Sequence, residues 1–343
     1  MTSPTAADYS TVFDLPTPAL VVDSAQLDRN LAALAAVRPG RRARPHVKAH
    51  KCTALASRQL AVGHDAFTCA TPREVVGMAK AGLGADLLLA NEVVDQRRLR
   101  ELAELDARVT IAIDSKATIA AAATAGLKEC LVDVNVGLPR AGCAPDTAGR
   151  LADAARTAGL TVRGVMGYEG HAVALVDRAE RTAKTAESME LLARAHDLVG
   201  GEIISAGATG TFDCNALATE IQAGSYALMD TAYAELDIPF APALTIRTTV
   251  ISVSPDGDYA VADAGLKALG MDHGNPSLPG YQVWFCSDEH TTFSSESAAL
   301  PEVGAAISII PAHIDPTVAY HETIYVVAGD TVIEAWPVDL RGW

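Results

Sequence analysis

Val109-Thr110-Ile111-Ala112-Ile113-Asp114-Ser115-Lys116-Ala117-Thr118-Ile119-Ala120-Ala121-Ala122-Ala123-Thr124-Ala125 holds one complete structural unit. Five β-branched or apolar residues suit a buried strand. Asp114 and Ser115, residue types that cap helices, then precede an alanine-rich run with high helical propensity. Outward from this stretch the same unit recurs from about residue 43 to 240. Strand-like runs stand at 43–47, 66–69, 86–89, 109–113, 130–136, 161–166, 202–205 and 219–222. Helical patterns fall between them at 53–62, 72–81, 94–105, 116–125, 146–158 and 179–198. One of these opens with Thr71 as cap and Pro72 at the first helical position. Eight strands alternating with helices over about 200 residues is the arithmetic of a (β/α)8 TIM-type barrel. A doubly wound open sheet is the competing α/β arrangement.

The pattern changes after Ala241. Runs at 245–254, 259–263, 282–286, 305–310, 323–327 and 332–336 read as strands with few helical patterns between them. Ser254-Pro255-Asp256-Gly257-Asp258 joins the first two as a hairpin turn. This is a second, all-β domain. An early run at 19–23 is also strand-like and fits either domain by its own residues. The expected division is a barrel over 25–240 and a β domain over 241–343, with 1–24 joining it.

Across 343 residues there are 42 acidic and 27 basic side chains, a formal charge of −15. That balance argues against a polyanion binder, so no nucleic-acid partner is expected. The densest basic cluster, Arg41-Arg42-Ala43-Arg44, is short. No apolar run approaches the ~20 residues that cross a bilayer, and the stretch from Met1 to Asp14 lacks a secretory pattern. A cytoplasmic protein with no membrane partner is expected. Six scattered cysteines, none in a C-x-x-C pair, read as reduced, packed thiols.

In a β/α barrel the chemistry sits at the C-terminal ends of the strands. The first ends in Arg44-Pro45-His46-Val47-Lys48-Ala49-His50-Lys51. A lysine inside a barrel mouth loses hydration, which lowers its pKa and suits an amine that attacks a carbonyl; a solvated loop lysine would read the same. The fifth ends near Arg140, which could meet an anion or simply face solvent. The sixth ends in Gly167-Tyr168-Glu169-Gly170-His171, dense in polar side chains. The seventh runs into Ser205-Ala206-Gly207-Ala208-Thr209-Gly210-Thr211 and the eighth into Gln222-Ala223-Gly224-Ser225-Tyr226. Small residues let backbone N–H groups approach a phosphate, and barrels commonly hold phosphate at these two loops. In the β domain, His313 and Asp315 stand two apart; on a strand they would share a face and could hold one divalent metal.

Together these residues resemble the fold-type III pyridoxal phosphate enzymes, in particular the D-threonine aldolase and D-serine dehydratase group related to alanine racemase. The likeness runs over nearly the whole chain. It opens at Asp14-Leu15-Pro16-Thr17-Pro18-Ala19, is most specific in the R-P-H-x-K-x-H-K motif, and ends with P-x-H-x-D at Pro311 to Asp315. The resemblance implies a PLP-binding barrel in which Lys48 carries pyridoxal 5'-phosphate. It implies a phosphate cradle of Gly207, Thr209, Gly224, Ser225 and Tyr226, with Tyr168 also at the cofactor. Arg140 would lie near the cofactor's phenolic oxygen and Gln222 opposite its pyridine nitrogen. His313 and Asp315 would hold the group's divalent metal: Mn²⁺, Mg²⁺ or Zn²⁺. A head-to-tail homodimer is implied, in which each β domain completes its partner's active site and the strand at 19–23 joins the β domain.

Two departures refine this. Alanine racemases carry arginine where Gln222 stands, which argues against racemisation. Dehydratase members typically have cysteine where Asp315 stands and aldolase members aspartate, which tilts the reading towards an aldolase. The expected enzyme is a lyase taking small D-3-hydroxy amino acids, with D-threonine giving glycine and acetaldehyde and His171 or a metal-bound water as the base. The alternatives are a dehydratase releasing a 2-oxo acid and ammonia from D-serine or 3-hydroxy-D-aspartate, a non-catalytic pyridoxal phosphate carrier, and a metal hydrolase.

Overall fold

The computed structural model describes residues 9–296 and 299–342. Residues 1–8, part of the segment expected to join the β domain, lie outside the described residues, as do 297–298 and Trp343. The first strand, β1 (Ala19–Asp23), leads into α1 (Ser24–Val37), capped by Asp23. Seven parallel strands follow in order along one sheet: β2 (Phe67–Cys69), β3 (Leu87–Leu89), β4 (Val109–Ile113), β5 (Glu129–Asp133), β6 (Thr161–Met166), β7 (Ile203–Ala206) and β8 (Glu220–Ile221). The helices around them are α2 (Thr53–Ala61), α3 (Pro72–Lys80), α4 (Gln96–Ala103), α5 (Lys116–Ala125), α6 (Ala148–Thr157), α7 (Arg178–Val199) and α8 (Thr231–Ala234). Thr71 and Ser115 cap α3 and α5 as their residue types dictate.

The sequence leads to eight barrel strands; the structure has seven. The run at 43–47 pairs with β8 and β2 only through single bridges, Ala43 with Ile221 and His46 with Thr68. Pro45 explains this, because it has no N–H to give to a ladder. Its carbonyl accepts from Thr68 N–H at 2.9 Å, while Arg44 and His46 donate to Ile221 and Ala223 on the other side. The segment therefore still bridges the first and last strands of the sheet.

The barrel interior is layered. At the N-terminal ends of the strands lies a buried ion network. Asp86 receives Arg163 Nη1 and Nη2, each at 3.0 Å, and Arg44 at 3.0 Å, and Arg44 also meets Glu220 at 2.8 Å. Above it Leu88, Ala112, Leu131, Met166 and Ile203 form an apolar plug. The C-terminal ends above the plug are polar and open, which confines a functional site to that mouth. Burial alone would push the Asp86 carboxyl up, but the Arg163 and Arg44 guanidiniums outweigh it and hold it at about 2. A depressed carboxylate stabilises the fold above its unfolded pKa, and that contribution is lost as pH falls. Thermal melts should therefore drop between roughly pH 4 and pH 2. Asp86→Ala, which leaves buried arginines unpaired, should cost about 3–5 kcal/mol in denaturant unfolding at neutral pH.

The rest of the chain forms a second sheet from β9 (Leu244–Val253), β10 (Ala260–Ala262), β11 (Gln282–Cys286), β12 (Thr291–Ser294), β13 (Ala306–Ile309), β14 (Thr323–Ala328) and β15 (Thr331–Pro337). The order is β11-β12-β10-β9-β1-β14-β15, with β13 also on β9. β1 sits inside this sheet, antiparallel to β9 and parallel to β14. Between β13 and β14 lies α9 (Ile314–Tyr320). None of the six cysteines is in a disulfide. Among the described residues no helix is long and apolar enough to cross a membrane.

Candidate active site

A cavity of ≈ 230 Å³ opens at the barrel mouth. Lys48 reaches it from a 3-10 turn, Val47–Ala49, whose N-cap is His46; the His46 Nδ1 accepts from Lys48 N–H at 3.4 Å. His46 lines the cavity, and burial pushes its imidazole well below the usual range, so it stays neutral. Lys48 Nζ lies 3.2 Å from Asp315 Oδ2. The Asp315 carboxylate raises the lysine's pKa against the opposing effect of burial. Desolvation alone, which the sequence suggests, would lower it; the carboxylate that reverses the sign arrives from 267 positions downstream (315 − 48). The contact forms within one chain. The β domain thus reaches the mouth of its own barrel. Lys51 has a left-handed backbone (φ 45°) and pairs with the buried Glu74, away from the cavity lining.

Of the other expected residues, Arg140, Tyr168, Gly207, Thr209, Gln222, Gly224 and Ser225 all line this cavity. Burial pushes the Tyr168 phenol up, so it keeps its proton at neutral pH, and the Arg140 guanidinium lies 5.1 Å from the ring centroid. Gln222 Nε2 donates to Ser205 Oγ at 2.9 Å. A Cβ on Gly224 would lie 2.9 Å from the His46 carbonyl oxygen, so only glycine lets this turn pack on the Lys48 turn. Gly207 has φ +82°, and its N–H goes to Glu169 Oε2 at 3.2 Å.

Three expectations change. The Tyr226 side chain is in the core, its hydroxyl accepting from Gln59 Nε2 at 3.1 Å; only its N–H points back, to Thr209 Oγ1 at 2.9 Å. His171 does not line the cavity. The turn at Gly170 sends it outward, exposed, with Nε2 3.5 Å from Ser188 Oγ. The His313 and Asp315 segment is not a strand: His313 is the N-cap of α9 and Asp315 lies in the first turn. Pro316 is compatible with that turn, because proline is tolerated where N–H groups have no helical partner. The two side chains nevertheless converge, with His313 Nε2 3.9 Å from Asp315 Oδ1.

Other groups gather there without a local signal in the sequence. Asp272 Oδ2 is 2.7 Å from His313 Nδ1, and His273 stacks on His313 at 4.0 Å between centroids. Asp272, His273 and His313 together form a group able to hold a cation. Holding Nδ1 on Asp272 instead directs Nε2 towards Asp315, the arrangement seen where a carboxylate orients a metal-binding histidine. Asp315 Oδ1 is buried with no hydrogen-bond partner among the described residues. Tyr233 of α8 lines the cavity, as do Asn91, Glu92 and Asp133 at the ends of β3 and β5. Burial, and then Glu92, pushes the Asp133 carboxyl well above the usual range. Those strand ends were open to the same reading that found Lys48.

An amine, a cradle of small residues and an imidazole–carboxylate pair thus meet at one barrel mouth. Comparison with known proteins identifies the family. The family model for the alanine racemase N-terminal domain matches residues 22–231, and that for a putative serine dehydratase domain matches 243–327. A D-threonine aldolase of Arthrobacter sp. is 34% identical, over 95% of this chain and 93% of that protein. The D-threo-3-hydroxyaspartate dehydratase of Delftia sp. is 27% identical, over 97% and 99%. The crystal structure of D-threonine aldolase from Filomicrobium marinum superposes with a TM-score of 0.91 at 33% identity, covering 97% of this chain and 98% of that one. The chain belongs to the alanine racemase-type barrel family, in the D-threonine aldolase and 3-hydroxyaspartate dehydratase group that adds a serine dehydratase-like β domain.

Proposed function

We propose that the protein is a pyridoxal phosphate- and divalent metal-dependent lyase that cleaves D-3-hydroxy amino acids between Cα and Cβ, giving glycine and acetaldehyde from D-threonine. The observation that carries this reading is the 3.2 Å approach of Lys48 Nζ to Asp315 Oδ2. It sets an amine able to hold a carbonyl cofactor beside a pair able to hold a cation. In this reading residues 25–240 hold the cofactor, residues 241–343 with 1–24 hold the metal, and the enzyme works as a homodimer.

The residues fit both groups. Lys48 opens into a cavity that the Gly224 turn, packed on the Lys48 turn, also lines. Gly207 and Ala208 donate their N–H groups to Glu169 and Thr211, which leaves the phosphate to Thr209, Gly224 and Ser225. Gly207 serves by its positive φ. Gln222, held by Ser205, presents a neutral amide to the ring. The buried, unpartnered Asp315 Oδ1 and the oriented His313 Nε2 make a nitrogen–oxygen set that suits Mn²⁺, Mg²⁺ or Zn²⁺.

When bound, the cofactor supplies the sink for the electron pair left on Cα. A cation on His313 and Asp315 supplies Lewis-acid polarisation of the 3-hydroxyl. The chain's own residues do the rest. Lys48 would hold the cofactor's carbonyl carbon, and Thr209, Gly224 and Ser225 would hold its phosphate. Tyr168 keeps its proton at the phenol oxygen and, with Arg140 over its ring, lines the cavity. His46 stays neutral beneath. The pair His313 and Asp315 lies on one side of the mouth only, so the 3-hydroxyl must come from that side. That requirement selects configuration at Cα. The two aldolase relatives, at 34% and 33% identity, support cleavage over elimination, as does aspartate at position 315.

Purified protein supplied with pyridoxal phosphate and Mn²⁺ should convert D-threonine to glycine and acetaldehyde and leave L-threonine nearly untouched. Ammonia and 2-oxobutanoate as the main products would make it a dehydratase. Comparable rates on both enantiomers would contradict the one-sided placement of the metal pair.

A further inference from the structure

Asp230 is fully buried and follows Met229, a non-glycine residue with φ +58°, at the point where the chain leaves the barrel. Its Oδ1 accepts from Tyr233 N–H at 3.1 Å and so caps α8. Its Oδ2 accepts from Ile314 N–H, also at 3.1 Å, at the first turn of α9. Ile314 lies between His313 and Asp315. One carboxylate thus ends two helices, one from the barrel and one from the β domain. Beside it, Thr231 N–H donates to the Pro311 carbonyl at 3.2 Å, which ties the two backbones together again.

From the β-domain side, α9 is held by the loop at 264–272. Gly270 N–H donates to Thr317 Oγ1 at 2.8 Å, and the Thr317 hydroxyl donates to the His313 carbonyl at 2.7 Å. Those bonds fix His313 within its own domain. They do not set its place over the barrel. We propose that Asp230 is the positioning residue that registers the His313 and Asp315 pair against the barrel mouth, and that its two hydrogen bonds set the cation affinity of that pair. The inference rests on the metal reading above.

The chemistry of the substitutions makes the claim testable. Asparagine is a good helix cap, so Asp230→Asn keeps an oxygen for Tyr233 N–H but turns an NH₂ group towards Ile314 N–H. Serine is also a good cap but too short to reach both helices. Each variant should keep α8 and the barrel and release only α9.

The test is titration of the holoenzyme with Mn²⁺ against a competing chelator, with lysine-bound cofactor followed by absorbance. Wild type should bind Mn²⁺. Asp230→Asn and Asp230→Ser should bind it ~10–100-fold more weakly, the scale on which residues behind metal ligands act. Their absorbance should be unchanged, and turnover should recover in excess Mn²⁺. Folded variants with wild-type Mn²⁺ affinity would overturn the inference alone. Absence of Mn²⁺ binding by wild type would overturn the metal reading beneath it. If neither variant folds, hydrogen exchange in wild type decides. The Tyr233 and Ile314 amides should exchange together and as slowly as the barrel core, and independent exchange would overturn the inference.

Discussion

Lys48→Ala is expected to lower D-threonine cleavage by at least ~10³-fold, the scale of losing an activated nucleophile. It should also abolish the band near roughly 400 nm that marks lysine-bound pyridoxal phosphate. Lys48 alone of the two motif lysines lines the cavity, and among the described residues its half-exposed amine has one ionic partner, Asp315. Little packing depends on it, so the melting temperature should hardly move. Lys51→Ala should do the reverse. It leaves Glu74 buried without its cation, at a cost of about 3–5 kcal/mol, while the band persists in protein that remains folded. Equal loss of the band in both variants would show that the turn, and not one amine, matters.

Removal of the metal is expected to have the second large effect. Dialysis against a chelator should lower cleavage by ~10²-fold or more while leaving the absorbance band in place. The proposed anchors of the cofactor are Lys48, Thr209, Gly224 and Ser225, and none of them is a candidate metal ligand. Activation of the 3-hydroxyl has no such independence: its pKa is far above neutrality, and the lining phenol Tyr168 is held protonated by burial. His313→Ala should mimic chelation and should not be rescued by added Mn²⁺, since the nitrogen ligand itself is gone. Undiminished turnover in metal-free enzyme would remove His313 and Asp315 from the reaction.

Why the barrel was legible and parts of the site were not has a physical basis. The alternation of short apolar runs with capped, alanine-rich helices is local information, and strands β4 and β6 lie where their residues place them. The run at 43–47 looks apolar enough for a strand, but Pro45 breaks the ladder, and periodicity does not register a missing donor. His313 and Asp315 were found by spacing on the premise of a strand. They meet because His313, as N-cap, has an extended backbone (φ −144°, ψ 119°) and so escapes the helical arrangement that would hold i and i+2 apart. Strand-end logic reached Lys48, Tyr168 and Gln222, because a barrel directs each strand end to one mouth. It does not reach His171 or the Tyr226 side chain, where a turn four residues past the strand end decides which way a side chain leaves. Asp272, Tyr233 and Asp230 carry no local signal. Asp272 comes to His313 across 41 positions by the folding of the β domain on itself, and Asp230 to Ile314 across 84 by the packing of one domain on the other.

The central claim is that one amine, at the end of the first barrel segment, holds the cofactor opposite the His313 and Asp315 pair. Borohydride reduction of the holoenzyme, which fixes bound pyridoxal phosphate to the amine that holds it, followed by peptide mapping, tests this directly. The label is predicted on Lys48, in the peptide containing Arg44-Pro45-His46-Val47-Lys48. Label on Lys51, or on any lysine outside the barrel mouth, would contradict the account.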